Sequence, residues 1–98
     1  MGKVGKFKDN LDTYVFTTKF VTEKNSPIVL VSHDEEGDWQ FLSGEGPVES
    51  EVQVILLGEM IQHDPTILEV ADLPLGAKAF RNDQNSAWRI RKNFSSDN

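Results

Sequence analysis

Two histidine–aspartate pairs, His33-Asp34 and His63-Asp64, are the residues of this chain best suited to chemistry. Imidazole and carboxylate together can hold a transition metal or relay a proton. The spacing works against both uses. Adjacent residues in a strand point to opposite faces, so His33 and Asp34 do not readily share one ion. Asp64 stands before Pro65, the arrangement of a helix N-cap with proline at N1, which commits its carboxylate to backbone N–H groups. A small metal-dependent hydrolase built on His33, His63 and nearby carboxylates is the alternative reading, and it needs the fold to bring the two imidazoles together.

Nucleophilic catalysis has less to draw on. The chain has no cysteine. Ser32 and Ser43 lack the G-x-S-x-G elbow that exposes a reactive serine. Gly44-Glu45-Gly46 is too short to cradle a phosphate and places a carboxylate where the anion would sit. The expectation is a non-catalytic chain with no cofactor and no metal-ligand set.

The remaining candidate is acidic. Asp34, Glu35, Glu36 and Asp38 crowd a segment that ends in Trp39-Gln40-Phe41, and their spacing does not match a calcium loop. From Asn25 to Ala77 there are eleven carboxylates and no Lys or Arg. Such a one-sign surface speaks to partners: it repels nucleic acid and attracts a basic protein. The cluster Arg89, Arg91, Lys92 is explained by solubility and by protection of a sheet edge, so nucleic acid is not expected as a partner.

These groups must be positioned by one domain, since the chain has 98 residues of ordinary globular composition. The β-branched and aromatic run Thr13 to Thr18 predicts a strand, and Pro27 to Ser32 a second. Asp34 to Asp38 is turn chemistry around Gly37, and Trp39 to Leu42 returns as a third strand, so a β-hairpin with a five-residue loop is expected. After the loop Ser43 to Ser50, Val52 to Leu56 is a fourth strand. Leu57, Met60 and Ile61 then switch to helical period, and Asp64-Pro65 restarts a helix that Leu73-Pro74 ends. Ala77 to Arg81 and Ala87 to Lys92 predict two short strands.

The fold class expected is α+β: a mostly antiparallel sheet of five to six strands with a helical segment at about 57–72 on one face. Residues 1–11 and 94–98 read as flexible. The expected core is Phe16, Val29, Val31, Trp39, Phe41, Val54, Leu56, Ile61, Leu68, Phe80, Trp88 and Ile90. No secretory signal or membrane-spanning run is visible, and the lack of cysteine fits a reducing cytoplasm.

The ordered set V-F-T-T-K at 15–19, I-V-L-V at 28–31, D-W-Q-F at 38–41, L-G-E at 57–59, D-P-T-I at 64–67, L-P-L-G at 73–76, A-F-R at 79–81 and Trp88 resembles a family of small bacterial domains of unknown function. That family overlaps with a group of immunity proteins of bacterial toxin systems. The resemblance covers about residues 13–92 and implies a compact α+β fold, no catalytic residues and, for some relatives, toxin neutralisation by binding. Together with the charge pattern, it points to a protein-binding module whose tip (Asp34, Glu35, Glu36 and Asp38) meets a basic partner such as a toxin. Dimerisation through the strand 87–92 is a further reading; the sequence leaves the oligomeric state open.

Overall fold

The structure is a computed structural model, and it describes residues 5–92. Six strands form one sheet in the order β4-β1-β3-β2-β5-β6. They are β1 (Tyr14–Thr18), β2 (Leu30–His33), β3 (Trp39–Leu42), β4 (Val52–Leu56), β5 (Ala77–Phe80) and β6 (Arg89–Lys92). Every pairing is antiparallel except β1 with β3, which run parallel through Phe16 and Gln40. Helix α1 (Lys19–Thr22), helix α2 (Leu57–His63) and two 3-10 helices (Glu49–Glu51 and Pro65–Val70) complete the described fold. The α+β class and the six-strand sheet agree with the sequence expectation.

The sheet buries one face. Val15, Val31, Trp39, Phe41, Ala77 and Ala79 point toward the helices and pack with Val21, Leu57, Met60, Ile67 and Val70. Register explains this: Val31 stands opposite both Phe41 and Ala79 in the neighbouring strands, so all three fall on one face. Asp64 breaks the helical segment where the sequence places a cap. Its Oδ1 accepts the Thr66 N–H at 3.0 Å, and Pro65 opens the second 3-10 helix.

Six members of the expected core lie outside the buried cluster: Phe16, Val54 and Ile90, which are exposed, and Val29, Leu56 and Phe80, which are half-buried without joining it. Phe16, Val54 and Ile90 are exposed by 37%, 49% and 49%. In β1 the inward phase belongs to Val15 and Thr17; Thr17 satisfies its hydroxyl by donating to the Phe41 carbonyl at 2.7 Å. Phe16 pairs with Val54 on the opposite face, away from the buried cluster. Ile90 is on the helix-facing side, but β6 lies beyond the reach of the core cluster. Val31, Trp39 and Phe41 are buried as expected, and Val29, Leu56, Ile61, Leu68, Phe80 and Trp88 are half-buried.

Within the lead-in 1–11, expected to be flexible, Gly5 and Phe7 are held against the fold. The Gly5 N–H donates to the Leu68 carbonyl at 3.0 Å. Phe7 is buried, its ring edge-on to Trp39 at 4.9 Å and to Phe41 at 6.3 Å. Residues 1–4 and 93–98, and with them the expected flexible tail 94–98, lie outside the described residues.

Candidate binding surfaces

The hairpin tip is built from the residues the sequence singles out. The Asp34 N–H donates to the Asp38 carbonyl at 2.9 Å, closing the five-residue loop. The Asp34 carboxylate then accepts the N–H of Glu36 and of Asp38, each at 2.9 Å. Gly37 takes φ +94°, which the turn requires and a side chain resists. Asp34 is therefore a structural residue of the loop, while Glu35, Glu36 and Asp38 lie on its surface. Glu35 folds over Gly76: a Cβ at that glycine, itself at φ +82°, would sit 3.4 Å from the Glu35 Cγ.

His33 closes the strand below the tip. Its ring stacks on Trp39 at 3.8 Å and 9°, and its Nδ1–H donates to the Leu73 carbonyl at 2.7 Å. It lines a cleft with Lys8, Asp9 and Asp72. His63 lines a different cleft with Asn25, Ser26 and Gln84, at the Ile28 end of the sheet. Five residues of extended chain separate Ile28 from His33, about 17 Å. The fold does not bring the two imidazoles together, and among the described residues no three His, Cys, Asp or Glu side chains converge as a metal site would.

Asp64 has a second role beyond the cap. Its Oδ2 accepts from Arg81 Nη2 at 3.0 Å in a buried ion pair, the only one among the described residues. Arg81 also donates to the Ile28 carbonyl (2.8 Å), the Thr66 hydroxyl (2.9 Å) and the Gln84 carbonyl (3.1 Å). The Trp88 ring lies 4.1 Å from the guanidinium carbon. In the loop after β3, Glu45 accepts from Ser43 at 2.6 Å and from Ser26 at 3.1 Å. The Ser43 hydroxyl, its own backbone N–H, Ser26 and nearby Lys24 hold its carboxyl below the ordinary value of 4.5.

The surface that residue-by-residue inspection misses is the open face of the sheet. Tyr14 and Leu56, and Phe16 and Val54, are cross-strand pairs on that face; Val52 continues it opposite Thr18, which is itself buried at the end of β1. Tyr14, Phe16, Val52 and Val54 are all exposed. The acidic tip adjoins this patch. The parallel register sets Phe16 beside Gln40, so two positions back along both chains Tyr14 comes beside Asp38. At the far side of the same face stand Lys78, Arg89 and Arg91. The signal was in the sequence: T-Y-V-F-T-T and V-Q-V-I-L are apolar in both phases of the strand period, which a sheet covered on one side does not need.

Comparison with protein-family models, with curated proteins and with solved structures gave no match. No helix among the described residues is long and apolar enough to cross a membrane.

Proposed function

We propose that this chain is a non-catalytic protein-binding module that takes a basic protein partner on the open face of its sheet. The observation that supports this is the exposed apolar patch Tyr14, Phe16, Val52 and Val54, with the acidic tip at its end. A contiguous apolar patch rimmed by charge has the composition of an interface: an aromatic centre that excludes water and a polar rim that selects the partner. Glu36 and Asp38 supply the rim, and a negative net charge of −6 steers a basic protein toward it. In this role the chain would act as the immunity proteins it resembles do, by occupying a toxin. Asp34 contributes indirectly, by holding the loop that presents the other acids.

The test is affinity capture from the source cells with three baits: wild type, Phe16→Ser, and the pair Glu36→Lys with Asp38→Lys. The partner retained by wild type should bind the Phe16 variant at least ~10-fold more weakly, the loss typical of an aromatic hot spot. The tip variant should lose most of its association rate. A partner set unchanged by both variants defeats the proposal.

A further inference from the structure

The sheet has two edges, and they are built differently. β6 reads Arg89-Ile90-Arg91-Lys92, and charges of one sign guard an edge against pairing. β4 reads Val52-Gln53-Val54-Ile55-Leu56, with no charge and no proline. Its register with β1 is continuous over all five residues, so no bulge turns it aside. An uncharged apolar edge strand left bare is an aggregation hazard, so a native use has to cover it.

The hydrogen bonds show what can cover it. The Leu57 N–H donates to the Thr13 carbonyl at 2.8 Å, which sets the alternation along the ladder. Ile55 and Gln53 therefore bond to β1, while Val52, Val54 and Leu56 direct their backbone groups outward. Two of those outward N–H groups are already satisfied. Val52 donates to the Glu49 carbonyl of the preceding turn, and Leu56 to the Glu59 carboxylate at 3.0 Å. Among the described residues nothing bonds to Val54 on this side, so it keeps an outward donor and an outward acceptor.

We infer that β4 pairs antiparallel with β4 of a second copy of this chain, with Val54 opposite Val54 on the two-fold axis. In this register all five residues of each strand face one another, and each Val54 N–H meets the other's carbonyl. On the open face Val54 packs on its own copy and Val52 on Leu56; on the other face Gln53 meets Ile55. The five strand residues bring no charge to the seam; the Glu59 carboxylate on each Leu56 N–H has to turn out to solvent for the partner's Val52 carbonyl to take that donor. The dimer is isologous, as most homodimers are, and it joins the two apolar patches into one surface with Phe16 of each copy near its centre. It does not depend on the proposed binding of a basic protein.

The experiment is sedimentation velocity on the full chain at 50 and 500 mM salt, with disulfide trapping. Two bodies of charge −6 repel, so the dimer fraction should rise with salt. Bonded pairs on antiparallel strands stand about 5.5 Å apart at Cα, inside the range a disulfide spans. In this cysteine-free chain, Val54→Cys should cross-link under oxidation and Ile90→Cys should not. Val54→Pro removes the outward donor at an edge position where proline is tolerated, and should abolish the dimer while keeping a cooperative melt. Should that variant fail to fold, Val54→Lys at the same exposed position sets like charges on the axis and should give a monomer. A wild type that stays monomeric at both salts, a dimer that survives these variants, or cross-linking through Ile90→Cys overturns the inference.

Discussion

Arg81 joins three segments that are distant in the chain. Its guanidinium bonds to Ile28 before β2, to Asp64 and Thr66 at the start of the second 3-10 helix, and to Gln84 in the turn after β5, with Trp88 against it. Both charges of the Asp64 pair are buried, so removing one leaves the other without compensation. Arg81→Met should destabilise the fold by about 3–5 kcal/mol in urea unfolding. A cost under ~1 kcal/mol would mean that Asp64 is satisfied by Thr66 alone. The sequence puts Arg81 at the end of the strand Ala77 to Arg81 but, with Phe80 in the expected core, leaves it in the outward phase; in the structure Arg81 follows Ala77 and Ala79 inward and is buried. The sequence does not identify the partner, because pairing across 17 residues depends on how helix and sheet pack. Asp64 is readable as a cap from the adjacent proline, and that local role conceals its second one.

At the scale of elements, the hairpin and the broken helical segment follow from local chemistry. Asp34, Gly37 and Asp38 specify the turn, and Asp64-Pro65 specifies the break. The phase of β1 and β4 does not follow, because both alternating sets are apolar. Phe16 looks like a core residue by size, yet the smaller Val15 and Thr17 face the helices, because β4 and β3 fix the register around them. Tip residues Glu35, Glu36 and Asp38 are legible as a surface cluster, whereas the patch beside them needs the parallel β1–β3 pairing, which no local pattern encodes. The phase has a direct test. Val15→Ala should cost about 2 kcal/mol, for a buried side chain truncated among rigid neighbours. Phe16→Ser should stay within ~1 kcal/mol of wild type, since its ring is partly in water already. The reverse order of cost in thermal or urea melts would place Phe16 in the core after all. The same Phe16 variant is the bait that tests partner binding, so its stability must be known before any lost binding is read as a lost contact.

For the whole molecule, charge separates the two associations proposed. Eleven carboxylates fall between Asn25 and Ala77, and the cations Lys78, Arg89, Arg91 and Lys92 gather on β5 and β6. A basic partner gains from this field, so its capture at the patch and tip should weaken as salt screens the attraction. Pairing of β4 with β4 opposes the same field, so it should strengthen under the same change. One salt titration followed by both readouts therefore separates them: the partner is released while the dimer grows. The two share the Val52 and Val54 side chains and differ in the rest. The dimer takes the outward backbone of Val54, and the partner takes the side-chain face of Tyr14 and Phe16. Val54→Pro should then yield a monomer that still captures the partner through Tyr14, Phe16 and the tip, at an affinity reduced by the lost Val54 side chain and by the loss of bivalency. Capture lost completely with Val54→Pro but kept with Val54→Ala, in chains that both melt cooperatively, would show that the partner requires the joined surface of two copies.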